Sequence, residues 1–198
     1  LKYLKKQNIK LRYNPQFSKT NMVSSLFCIE DKLKGNILLS YGDIIYSKNI
    51  LDLVINSKDD IGVVTDLEWR PYWEKRTETP LDDAESFRVD RDGNIIDIGF
   101  KESNLNNIQG QYIGLIKFSE TGINTLKKTY NKCLEKGSIN GKAVNNAYMT
   151  DIIQEMIFSG HKIRPVYIKD PWIEIDTVDD LENNVTIERL NHIIREML

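Results

Sequence analysis

The 198-residue chain has 27 basic and 29 acidic side chains, a net charge of −2, with 40% apolar and 28% charged residues. This balance excludes a disordered chain, a collagen or a coiled coil, argues against a nucleic-acid-binding face, and leaves no apolar run near the ~20 residues of a membrane span. One domain over 1–198 is expected, and two cysteines, Cys28 and Cys133, fit a reduced, cytoplasmic setting.

The opening residues, Leu1-Lys-Tyr-Leu-Lys-Lys, read as the end of a helix already under way, and Ile9–Tyr13 reads as a strand. The chain is therefore expected to be the later part of a longer protein. Asn21–Leu33 carries apolar residues at Met22, Leu26 and Ile29, and Gly35-Asn36 stops that helix. Asn36–Leu39 reads as a buried strand running into the turn Ser40-Tyr41-Gly42-Asp43. Ser47 caps a short helix, and Ile61–Thr65 is the next buried strand. Phe87–Val89 and Ile95–Ile98, around Asp92-Gly93-Asn94, spell a hairpin. Tyr112–Phe118 is a strand and Glu120–Lys136 a helix. Ala147–Ser159 is a helix with Gly160 just past its end. Ile163–Ile168 is a strand, and an amphipathic helix, broken once, fills Thr177–Leu198. The alternation predicts an α/β domain with a mainly parallel sheet. Trp69–Asp83 shows neither helical nor strand period and reads as an irregular insert, a substrate loop or lid.

Three groups of residues could carry chemistry. Asp43 follows a strand, at the end of the sheet where ligands of α/β proteins bind. Gly42 beside it would let a ligand approach. A carboxylate there suits a divalent ion on a polyphosphate, or simply caps the turn. Glu174 and Asp176, two residues apart, share one face of an extended strand and could reach one ion. Capping of the following helix by Asp176 or Thr177, with Thr177 and Asp180 as a capping box, is the other reading. Trp69, Tyr72, Trp73, Tyr112 and Trp172 could cage an ammonium or could belong to the core. Asp66 and Glu68 could accept hydrogen bonds from a primary ammonium. No phosphate-binding glycine loop is present, and the separated His161 and His192 support neither a zinc site nor a hydrolase triad.

Taken in order, Asn14-Pro-Gln-Phe-Ser-Lys-Thr-Asn21 with Ser25, Ser40-Tyr-Gly-Asp-Ile44, Gly110-Gln-Tyr-Ile-Gly-Leu115, Ala147-Tyr-Met-Thr-Asp151 and Trp172-Ile-Glu-Ile-Asp-Thr-Val-Asp-Asp-Leu181 resemble the nucleotidyltransferases of the sugar-nucleotide pyrophosphorylase superfamily. The likeness is closest to the branch that activates phosphocholine or 2-aminoethylphosphonate with CTP. It implies a Rossmann-like three-layer α/β/α sandwich with a hairpin insertion, and Mg²⁺-dependent cytidylyl transfer with release of pyrophosphate. It also implies Asp43 and Asp176 as catalytic residues, with Glu174 completing the metal carboxylates. Asn21, Ser25 and Gly42 would line the nucleotide site, and Trp69, Tyr112 and Trp172 the amine site. A homodimer or a fused catalytic domain is a further expectation. The alternatives are a sugar-1-phosphate nucleotidyltransferase and a non-catalytic domain of the same fold. The family's opening strand and its G-x-G-x-R loop have no counterpart between Leu1 and Leu198. The sheet is thus expected to lack its first strand, and residues 1–198 by themselves to transfer little or nothing.

Overall fold

The computed structural model describes residues 9–169 and 171–197. The helix end expected at Leu1–Lys6 lies outside these residues. The expected strand Ile9–Tyr13 is absent. That segment is irregular and exposed, and it pairs with no strand among the described residues.

The main sheet has four strands in the order β1 (Ile37–Ser40), β6 (Gln111–Phe118), β3 (Ile61–Asp66) and β9 (Arg164–Ile168). β3 and β9 pair in parallel, and β6 runs antiparallel to both β1 and β3. Three of the four strands thus point the same way, with β6 reversed between two of them. All six residues of β3 are buried. Successive strand side chains point to opposite faces, so both faces of the sheet are covered. The helices α2 (Lys48–Asn56) and α5 (Glu120–Lys136) do part of this, α2 against β6 and β9, α5 against β6. Ser47 caps α2 and Ser119 caps α5, each side chain accepting a backbone N–H of the first turn. β1 forms one edge of the sheet among the described residues and is only half-buried.

The hairpin lies where expected, as β4 (Glu85–Val89) and β5 (Ile95–Lys101). After the two-residue strands β7 (Ser138–Ile139) and β8 (Lys142–Ala143), which pair antiparallel, α6 (Met149–Phe158) packs on β5, and its Gln154 side chain accepts the Ile98 N–H at 2.9 Å. The expected helix at Asn21–Leu33 is shorter: α1 spans Met22–Phe27, and a separate 3-10 turn covers Glu30–Lys32. The C-terminal helix breaks at Asn183 into α7 (Val178–Glu182) and α8 (Asn184–Met197).

The stretch 69–83 departs most from expectation. It is helical, as α3 (Trp69–Arg76) and α4 (Pro80–Asp83). Trp69, Tyr72 and Trp73 are all buried. Burial on α3 follows these large rings rather than an aliphatic period, so a reading based on aliphatic spacing finds no helix there. α3 packs against α8, and Arg189 of α8 places its guanidinium 4.2 Å from the centre of the Tyr72 ring.

Candidate active site

The turn after β1 is the centre of the site. It leads through Gly42 and Asp43 into β2 (Ile44–Tyr46), which pairs antiparallel with β10 (Trp172–Glu174), Ile44 opposite Glu174. Beyond the ladder the Ile175 N–H donates to the Asp43 carbonyl at 3.0 Å. This register carries Asp43 and the segment 174–176 to the same end of the sheet.

A cavity of about 430 Å³ opens over this turn, lined among others by Asn21, Ser25, Tyr41, Gly42 and Asp43. The N-terminus of α1 forms one wall. Asn21 caps it, its side chain accepting the Met22 N–H at 2.8 Å. Asn14 donates to both Thr20 Oγ1 and Ser25 Oγ at 2.9 Å, which folds the preceding loop onto the helix. The Asp43 carboxylate is exposed and forms no ion pair or hydrogen bond with any described residue. A Cβ on Gly42 would meet no protein atom within 4 Å, so the room its small size leaves is on the cavity side.

A second, smaller cavity of about 190 Å³ adjoins the first, and Met22 and Tyr41 line both. Trp73, Asp83, Glu85, Tyr112, Tyr148 and Glu174 are among its walls. The β3–β6 register shifts between Val63 and Thr65, opposite a stretch of β6 that contains Gly114 at φ +84°. Such a bulge re-aims side chains next to a site. Here the Gly114 carbonyl accepts the Tyr41 N–H at 2.9 Å, and the Tyr41 and Tyr112 rings meet edge-on at 5.6 Å. A Cβ on Gly114 would lie 2.8 Å from Tyr41 ring carbons, so glycine is needed both for the backbone angle and for the ring's position.

Arg76, at the end of α3, ties the acidic residues together. Its Nη1 donates to Glu174 at 2.9 Å, its Nη2 to Asp176 at 2.8 Å and its Nε to Asp180 at 2.7 Å, and Asp83 stands 3.9 Å away. Asp180 is itself fixed, its other oxygen accepting from the Asp176 N–H, the Thr177 N–H and the Thr177 hydroxyl. The bond from Arg76 therefore holds the Asp180 carboxyl well below the usual carboxylate range. Burial, reinforced by Asp176, pushes Glu174 the other way. Burial, with Asp151 adding to it, pushes Glu85 up to about 7.

The structure brings Asn21, Ser25, Gly42 and Asp43 into one cavity, and Tyr112 and Glu174 into its neighbour. Glu174 ends β10 and Asp176 lies just beyond the strand, and both carboxylates reach one cation, the Arg76 guanidinium. The expected three-carboxylate metal group is not formed: no three His, Cys, Asp or Glu side chains among the described residues are grouped to hold an ion. The aromatic cage is not formed either. Trp69 and Trp172 are buried in the core, and Trp172 Nε1 donates to Asp66 at 2.9 Å. Asp66 is consumed by that bond and by the Glu68 N–H, while Glu68 faces Lys169 at the surface. Neither is a wall of the smaller cavity. The capping box of Thr177 and Asp180 is present as well. Arg76, Glu85 and Tyr41 were not legible as site residues. Arg76 lies in the stretch read as irregular, and Glu85 precedes a hairpin whose pattern says nothing of a cavity.

No family model matches the chain. The chain is 34% identical over 194 residues to CTP:phosphoglutamine cytidylyltransferase of Campylobacter jejuni, an alignment covering 94% of this chain and 76% of that protein. Among solved structures, inositol-1-phosphate CTP transferase from T. maritima superposes with a TM-score of 0.67 at 19% identity, over 97% of this chain and 70% of that one. CTP:phosphocholine cytidylyltransferase from Streptococcus pneumoniae gives a TM-score of 0.67 at 14% identity, over 94% and 72%. At these identities the two structures speak for the fold. No helix among the described residues is long and apolar enough to cross a membrane.

Proposed function

The chain belongs to the cytidylyltransferases, nucleotidyltransferases of the sugar-nucleotide pyrophosphorylase superfamily, and we propose that it transfers the cytidylyl group of CTP to a phosphorylated or phosphonylated amine, releasing pyrophosphate. The observation that carries this reading is the pair of adjoining cavities divided by Tyr41 and Met22. The larger, with Asn21, Ser25, Gly42 and Asp43, takes the nucleotide; the smaller, acidic one takes the cationic end of the acceptor. The names of the relatives agree in using CTP with a phosphorylated acceptor, and phosphoglutamine, like 2-aminoethylphosphonate, carries an ammonium group.

The chemistry asks for positioning. An acceptor phosphate oxygen is already anionic at pH 7. It attacks the α-phosphorus of CTP, a new P–O bond forms, the bond to the β-phosphate oxygen breaks, and pyrophosphate leaves with that electron pair. No general base is required, and the protein's work is to align the two phosphates and offset their repulsion. In this reading Asp43 and Asp176 would hold Mg²⁺: Asp43 has no partner among the described residues, Asp176 is half exposed and would share its carboxylate between the ion and Arg76, and Mg²⁺ commonly takes one or two carboxylates with phosphate oxygens and water. When bound it supplies Lewis-acid charge to the reacting phosphates. Glu174, held by Arg76 in the wall of the smaller cavity, faces the acceptor instead.

In the full-length protein, CTP should raise the melting temperature, since a ligand that binds only the folded state stabilises it by about 2.7 kcal/mol at a hundredfold excess over Kd. Ser25→Trp, which fills the larger cavity, should abolish that shift. An unchanged melting temperature with CTP, or an undiminished shift in Ser25→Trp, contradicts the placement of the nucleotide.

A further inference from the structure

Within the smaller cavity one carboxylate has no partner. Glu174 is bonded to Arg76, and Asp83 accepts the Trp73 indole N–H at 3.0 Å and lies near Arg76. Glu85 is half-buried, yet its side chain makes no ion pair or hydrogen bond with any described residue. Only its backbone is bonded, to the Gln111 amide, which holds the residue in place from both its N–H and its C=O. A second polar group in the same wall is only partly used. The Tyr112 hydroxyl is sealed from solvent, makes no hydrogen bond of normal geometry, and has the Tyr41 hydroxyl as its neighbour. Unmatched buried polar groups cost free energy, so this pair calls for a ligand that donates hydrogen bonds and carries positive charge.

We propose that Glu85 is the specificity-determining residue for the acceptor and that, with the Tyr112 hydroxyl, it selects a primary ammonium over a quaternary one. The inference rests on the reading of this site as a cytidylyltransferase acceptor pocket and names its substrate class. A primary ammonium has three N–H donors, enough for Glu85, Tyr112 and the outer oxygen of Glu174. A trimethylammonium has none and depends on open ring faces. Most of those faces are taken here, the Tyr148 ring among them, with the Lys142 ammonium 4.7 Å from its centre. Trp69 and Trp172 lie in the core, Tyr41 meets Tyr112 edge-on, and the Arg76 guanidinium stands 5.9 Å from the centre of the Trp73 ring. The cations that act on Glu85, Lys142 and Lys101, do so from a distance, opposed by Asp151 and Asp83. They leave the contact position to the ligand.

The test uses phosphoethanolamine and phosphocholine, which differ only in methylation of the nitrogen, with CTP and the full-length protein. Wild type should show a KM for phosphoethanolamine at least tenfold below that for phosphocholine. Glu85→Gln should raise the phosphoethanolamine KM more than tenfold, move the phosphocholine KM little, and leave the CTP KM in place. A stability readout separates this from damage to the fold. The Glu85 carboxyl is raised to about 7 by burial, so the stability of its protonated form is fully present below the unfolded value near 4.5 and is lost as pH rises through 7. At pH 8, Glu85→Gln should therefore melt no lower than wild type. Equal or better use of phosphocholine, or a preference that survives Glu85→Gln, overturns the inference and leaves cytidylyl transfer to an amine standing. Transfer to a sugar 1-phosphate and to neither amine overturns both.

Discussion

Replacing Asp43 with Asn should lower kcat about 10²-fold or more while the melting temperature stays within a degree or two of wild type. The carboxylate is exposed and bonded to nothing among the described residues, so the fold loses no side-chain interaction when its charge is removed. What is lost is negative charge at the turn where the larger cavity meets the β2–β10 ladder, the position at which, in the proposed reading, it would hold Mg²⁺ against the reacting phosphates. Removing a single preorganised electrostatic contact of this kind typically costs 10²–10³ in turnover. Steady-state kinetics at saturating CTP, alongside thermal unfolding, measures both halves of the expectation. A loss of less than threefold would remove Asp43 from the reaction. A large fall in melting temperature would assign it to the turn.

Arg76→Ala should have the largest effect on stability. The side chains of Arg76 and Asp180 are each only 8% exposed, and Asp180 keeps its other hydrogen bonds to the 176–177 backbone. Deleting the guanidinium thus strands a buried carboxylate and leaves Glu174 and Asp176 facing each other unneutralised. Removing one partner of a buried ion pair costs roughly 3–5 kcal/mol, measurable by denaturant unfolding. The pH dependence follows from the same contact. A carboxyl held below its unfolded pKa contributes stability that is present above the unfolded value and lost as pH falls through the folded one. Wild type should therefore stay folded to lower pH than Arg76→Ala. Arg76→Lys keeps the charge but not the fork that spans three carboxylates. It should recover part of the stability and still raise the acceptor KM severalfold, because Glu174 loses its fixed orientation. A variant as stable as wild type at neutral pH would show that the network is worth nothing net.

Much of the fold is legible in the sequence because its core elements have clean periods and caps. Ser119, Gly137 and the run between them specify α5 residue by residue, and Asp92-Gly93-Asn94 marks the hairpin turn between β4 and β5. The walls of the larger cavity were legible for a related reason: Asn21, Ser25, Gly42 and Asp43 lie near in sequence to the elements that position them, and the order of motifs carried the resemblance. The smaller cavity was not. Arg76 reaches Glu174 and Asp176 across about a hundred residues, a contact that no local spacing encodes. The indoles of Trp69 and Trp172, which read as core more readily than as cage, are settled by burial: Trp172 bonds Asp66 and meets Tyr72, and Trp69 meets Trp73. Strand parity placed Glu174 and Asp176 on one face of a strand that in fact ends at Glu174; the two carboxylates do share a cation, and parity does not say which cation it is.

The most direct measurement is the identity of the product. The full-length protein would be incubated with CTP, Mg²⁺ and each of phosphoethanolamine, phosphocholine, 2-aminoethylphosphonate and phosphoglutamine, with glucose 1-phosphate as the comparison. The nucleotide products would be weighed by mass spectrometry and pyrophosphate counted in parallel. The expected result is a CDP-linked amine formed in equal amount with pyrophosphate, from CTP in preference to other nucleoside triphosphates. A CDP-sugar with no CDP-linked amine, or pyrophosphate release that does not depend on any of these acceptors, would contradict it.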